Sequence, residues 1–133
     1  MMQGERVLVT GIGMITALGL DLETNWTNIK DGRSGITNIR LFDASESQTR
    51  VAAQVPPEFE ELAAGMIRKR SSDQMTRVTR MCYVCARQAV EHAGLDFSVL
   101  DRDRCAVILG VVSTGNTSAE RGTTPQNRVL KSM

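Results

Sequence analysis

The sequence predicts an α/β fold in which parallel strands are joined by crossover helices. Two short apolar runs read as buried strands: Arg6-Val7-Leu8-Val9-Thr10 and Cys105-Ala106-Val107-Ile108-Leu109-Gly110-Val111-Val112. Between them lie two amphipathic helical patterns, one after Asp21 and a longer one over about residues 72–93. Strand, helix, strand, long helix, strand is the order of right-handed crossover units.

Each element has a local reason. The first run ends at Gly11 and enters a glycine-rich turn, Gly11-Ile12-Gly13-Met14-Ile15-Thr16-Ala17-Leu18-Gly19. Asp21 is placed to cap the next helix, where Leu22, Trp26 and Ile29 form an apolar stripe. Gly32 suits a left-handed stop. Residues 33–60 are less regular, with a short strand expected near residues 49–53 and a loop through Pro56-Pro57. A short helix is expected over residues 58–65, its Glu58, Glu60 and Glu61 forming a solvated helix-start charge run. On the long helix, Met75, Val78, Cys82, Cys85, Ala86 and Ala89 fall on one side; Arg77, Arg80, Arg87 and Glu91 fall on the other. Gly94 ends it. From Ser113 onward the chain is small and polar.

Composition bounds the function. A chain of 133 residues suits one domain with a real core. Apolar residues make up 41% and charged residues 23%, which excludes collagen-like and disordered readings. Lys and Arg number 16 against 15 Asp and Glu, a net charge of +1, too even for a generic nucleic-acid binder. No run spans a bilayer, and the first residues lack a signal-peptide pattern, so a cytoplasmic protein is expected.

Several chemistries fail on spacing. A dinucleotide fingerprint would place a third glycine where Thr16 stands, and Asp31, the nearest acidic partner, ends a helix instead of a strand. No Gly-Lys-Ser/Thr completes a phosphate loop. Cys82 and Cys85 form a C-x-x-C, but mid-helix and with no second pair, so they read as small buried apolar side chains. His92 is the single histidine, at a helix end, and reads as a surface or capping residue. Neither a metal nor a cofactor is expected.

Taken in order, the motifs resemble one family. Val7 through Gly19 is similar to the opening V-V-T-G-x-G-x-x-(S/T)-x-x-G of β-ketoacyl-acyl-carrier-protein synthases. Trp26 lies in the first helix, Asp31-Gly32-Arg33-Ser34-Gly35-Ile36 resembles G-x-S-G-I, and Leu41-Phe42-Asp43-Ala44-Ser45 resembles F-D-x-S. Gln74-Met75-Thr76-Arg77 stands where the family has Arg-Met-Asp-Arg, and residues 86–96 resemble A-x-x-A-L-x-x-A-G-L-D. The resemblance implies a thiolase-like fold, of which residues 1–133 would be the N-terminal βαβαβ half, layered α/β with a mainly parallel sheet.

It also implies a function. The parent would condense an acyl-enzyme thioester with malonyl carrier protein by decarboxylative Claisen chemistry, in fatty acid or polyketide synthesis, as a homodimer or heterodimer. The family's nucleophilic cysteine and two histidines come later than residue 133, so no catalytic residue is expected in this stretch. Cys105 does not match the nucleophile's motif. The alternative is a non-catalytic half-protein, a structural or chain-length-setting partner. Ser113 and Thr114 occupy the family's acyl-pocket segment, although Gly110-Val111-Val112-Ser113-Thr114-Gly115 departs from its G-S-G-x-G-G. Arg68, Lys69, Arg70, Arg77 and Arg80 are expected to dock the acidic acyl carrier protein, with Arg70 the best match; the family's basic pair is here Asp73-Gln74.

Overall fold

The computed structural model describes residues 6–110. In chain order they form α1 (Leu22–Lys30), β1 (Ile36–Asn38), β2 (Val51–Ala53), α2 (Phe59–Met66), α3 (Lys69–Ser72) and α4 (Arg77–His92), followed by a 3-10 turn over Arg102–Arg104. The helices follow the sequence signals. The Asp21 carboxylate accepts from the Thr24 N–H at 2.7 Å and caps α1. Gly32 and Gly94 take φ of 66° and 62°, the left-handed geometry that stops α1 and α4. Pro56 and Pro57 open α2, their carbonyls accepting from the Phe59 and Glu60 N–H groups.

The long helix starts five residues later than the periodicity predicts. The segment Lys69–Ser72 closes as its own turn on the Arg68 and Lys69 carbonyls. Thr76 then starts α4, its hydroxyl accepting from the Thr79 N–H at 3.2 Å. Arg70 and Arg77 therefore stand on different helices, and the shared face that one continuous helix would give them does not form.

The core is small. Phe59, Ala63 and Ile67 from α2 and its end pack on Val84 of α4, with Ile15, Leu20, Val55, Leu62, Met66, Met75 and Met81 around them. The predicted stripe on α4 is rotated: Val84 is fully buried, while Ala86 is exposed. The α1 stripe is rotated too. Trp26 is 58% exposed, and Asn25 is the buried residue. On α4 the inward face is the one that Phe59, Ala63 and Ile67 meet, and on α1 it is the one that bonds the glycine turn.

Among the described residues the sheet is an antiparallel hairpin, with β1 paired to β2 in the register Ile36–Ala53, Thr37–Ala52, Asn38–Val51. The parallel strands expected at residues 6–10 and 105–112 make no strand pairing within the described part. Val7 and Ile108 are each 93% exposed. A strand exists only as one side of a ladder, so an apolar run with no neighbour alongside stays unpaired. No described helix is long and apolar enough to cross a membrane.

Candidate functional site

The glycine turn is seated on the helices by its backbone. Gly13 lies so close to α4 that a Cβ there would overlap the Cys85 carbonyl oxygen and meet its carbon at 2.8 Å. A Cβ on Gly11 would meet the Ala93 Cβ at 2.7 Å and overlap the Ala89 carbonyl. The glycines are thus spacers that let a turn lie flat on a helix. No nucleotide phosphate has to be invoked to explain them.

Polar side chains then pin the turn. The Ile12 N–H donates to His92 Nδ1 at 3.1 Å, and the Met14 N–H to Gln88 Oε1 at 3.2 Å. Gln88 Nε2 donates to the Leu20 carbonyl at 2.6 Å. From α1, Asn25 Nδ2 donates to the carbonyls of Gly19 at 2.9 Å and Asp21 at 2.6 Å, and the Thr16 hydroxyl donates to Asn25 Oδ1. Asn28 Nδ2 donates to the Leu18 carbonyl at 2.6 Å. An accepting Nδ1 requires a neutral imidazole with its proton on Nε2. His92 is therefore a structural acceptor here, as well as a surface residue at a helix end.

A second cluster joins α2 to α4. Glu60 accepts from Arg77 Nε at 3.0 Å and from Arg80 Nη1 at 2.5 Å. The arginine side chains keep only 18% and 22% of their exposure, and the Arg77 guanidinium lies 5.4 Å from the Phe59 ring centre. Arg80 Nε is buried without a partner. Partial burial raises the Glu60 carboxyl, and the hydrogen bonds and charges of Arg77 and Arg80 outweigh it, leaving the pKa below the ordinary glutamate value. The sequence reading placed Arg77 and Arg80 on an open face and Glu60 on a solvated one; they are counter-charges to each other. The signal was present as an acidic residue in the first turn of α2 and a basic i,i+3 pair in the first turn of α4. Nothing in the sequence says which two helices will touch.

The remaining basic residues differ. Arg68, Lys69 and Arg70 are exposed, and no described carboxylate pairs with them. Beside them runs a groove of about 390 Å³ lined by Met66, Ile67, Arg68, Ser71, Met75, Tyr83 and Arg87. Arg87 pairs with Glu91 at 3.0 Å on the outer face of α4. Cys82 and Cys85 are half-buried; burial pushes the Cys85 thiol up, against a hydrogen bond from the Ile15 N–H, so it is held as an inert thiol. Cys105 is exposed, with its thiol donating to the Asp101 carbonyl at 3.4 Å. Ser113 and Thr114 lie outside the described residues.

The turn, the capped helices and the family's motif order meet in one comparison. A model of the beta-ketoacyl synthase N-terminal domain matches residues 4–132. The chain belongs to the beta-ketoacyl synthase family. It is 30% identical over 117 residues to the tetracenomycin polyketide synthase ketoacyl synthase alpha subunit of Streptomyces glaucescens, covering 88% of this chain and 27% of that protein. It is 31% identical over 109 residues to 3-oxoacyl-[acyl-carrier-protein] synthase 2 of Synechocystis, covering 82% and 26%. The corresponding Staphylococcus aureus synthase is 33% identical over 110 residues, covering 83% and 26%. The chain thus spans about a quarter of the length of these curated relatives. The beta-ketoacyl synthase family implies a thiolase-like fold, and residues 4–132 match the model of its N-terminal domain.

Proposed function

We propose that this domain serves a 3-oxoacyl-acyl-carrier-protein synthase, an acyltransferase that condenses an enzyme-bound acyl thioester with malonyl carrier protein. The match across residues 4–132 carries the reading. The relatives are named as a polyketide ketoacyl synthase and as 3-oxoacyl-[acyl-carrier-protein] synthases, and both fatty acid and polyketide chains remain within the reading. Condensation requires a thiolate to hold the acyl group, imidazoles to stabilise the enolate, and N–H donors for the oxyanion. The one histidine already accepts a backbone hydrogen bond, and Cys105 does not sit in the nucleophile's motif. Residues 1–133 therefore supply scaffold, part of the acyl pocket at Ser113 and Thr114, and the docking surface.

Docking is assigned to Arg68, Lys69 and Arg70, whose charge is exposed and unpaired among the described residues. Arg77 and Arg80 contribute less directly, because Glu60 already neutralises one of their two charges. The thiolase-like layering would form when the runs at residues 6–10 and 105–112 pair into a parallel sheet; their exposed Val7, Val9, Val107 and Ile108 support this. The protein would act in the cytoplasm as a dimer. The same exposed runs also favour the second reading, a chain that is complete only against another chain. The mass of the intact polypeptide decides between them. A mass well above 14.6 kDa favours the synthase, and a match to 14.6 kDa favours the paired half.

A further inference from the structure

The basic segment is not free to choose its position. It follows α2 directly: Ile67, the last residue of the core on this side, is buried, and the Arg68 carbonyl opens α3 by accepting from Ser71 at 2.9 Å and Ser72 at 3.0 Å. Where Arg68, Lys69 and Arg70 stand is therefore set by how α2 lies on α4. Apolar contact between them is a small cluster, Phe59, Ala63 and Ile67 on Val84, flanked by Leu62, Met66 and Met81. At the other end of α2 the hydrogen bonds run through one side chain, Glu60, which takes one from each of Arg77 and Arg80, beside the Arg77 guanidinium on the Phe59 ring. Among the described residues no other carboxylate pairs with either arginine.

We propose that Glu60 is a positioning residue: by holding Arg77 and Arg80 it locks α2 onto α4, and so fixes where Arg68, Lys69 and Arg70 meet an acidic partner. The inference rests on the docking reading for its consequence, though not for its geometry. Removing the Glu60 charge leaves two half-buried guanidiniums one turn apart with no counter-charge, and their repulsion works against the α2–α4 contact. If charge alone governed docking, freeing two arginines would strengthen attraction for an acidic partner. If position governs, it weakens docking. The two accounts differ in sign.

The test uses the full-length protein with Glu60→Gln and a triple variant of Arg68, Lys69 and Arg70 to Ala. Hydrogen exchange at Ser71, Ser72 and Asp73 reads the geometry, since these N–H groups bond the Arg68 and Lys69 carbonyls. Kinetics with carrier-bound substrate and with a small acyl thioester read the consequence. Glu60→Gln is expected to speed exchange at the three amides and to raise the KM for carrier-bound substrate about fivefold, the lower end of coupling between separate sites. The kcat on the small thioester should hold, and the KM effect should vanish in the triple background. Unchanged exchange overturns the inference whatever the kinetics, as does a lowered carrier KM or an effect undiminished in the triple background. A triple variant with unaltered carrier KM overturns the docking reading alone, and exchange at the three amides then still decides the clamp.

Discussion

At Asn25 a polar side chain takes the most buried position of α1, fully enclosed and with every polar atom used. It closes the glycine turn by bonding two carbonyls and the Thr16 hydroxyl. Asn25→Leu keeps the volume and removes those three bonds, although the Gly19 and Asp21 carbonyls still accept from the Thr16 and Asn25 N–H groups and the Thr16 hydroxyl from the Leu18 N–H. We expect a loss of about 3 kcal/mol, because three hydrogen bonds are lost at about 1 kcal/mol each. Urea unfolding of the full-length protein measures it, and a loss under about 1 kcal/mol would show that water replaces the amide. Gly13 makes a parallel case through sterics. Gly13→Ala must push the turn off the Cys85 carbonyl, since backbone atoms of a helix cannot step aside. A destabilisation of about 1–3 kcal/mol is expected, as for overpacked cores, seen as a lowered Tm. An unchanged Tm would mean that the turn does not sit on α4 in solution.

The helices show how one contact between elements redirects residues that each helix alone leaves ambiguous. Glu60 has a folded pKa below its ordinary value, so its contribution is present above the unfolded value and is lost as pH falls through the folded one. Pairing of α2 with α4 should therefore weaken in acid, below about pH 4.3, the ordinary glutamate value. Its side chain is about half exposed, so solvent screening keeps the effect small. Comparing acid unfolding of the parent with Glu60→Gln tests this: the variant should be less stable at neutral pH, and the gap should close in acid. A gap of constant size would assign the acid sensitivity elsewhere. For docking, Arg70→Glu should raise the KM for carrier-bound substrate and flatten its salt dependence, with little change on a small thioester, because exposed charges mainly set association rates and less attraction is left for salt to screen. Equal loss on both substrates would indicate a folding defect.

For the whole molecule, residues 1–133 alone should take up no labelled acyl group on Cys105 and turn over no malonyl carrier protein. Cys105→Ala should shift stability by no more than about 0.5 kcal/mol, as for an exposed side chain. Acylated Cys105 in a mass spectrum would overturn this. Much of the organisation is legible along the chain because it is local. The Asp21 cap, the Gly32 and Gly94 stops and the prolines before α2 are all set by neighbours a few residues away. Family membership is legible for a related reason: it rests on motif order, which the chain carries without folding.

What the sequence by itself determined was thus α1, α2 and the body of α4, the stops of α1 and α4, and the family to which the motifs belong. What only the tertiary structure decided was which side of each helix turns inward and which charges meet. Periodicity defines a stripe on α4 but not its rotation, and Val84, outside the expected stripe, is buried because Phe59 and Ala63 arrive there. Arg77 and Arg80 lie three residues apart in any reading, yet Glu60 is 17 and 20 positions away and joins them only once α2 lies on α4. The physical reason is range. Caps and turns are satisfied within a few residues of backbone, whereas burial and ion pairing depend on surfaces that are neighbours only after the chain has folded.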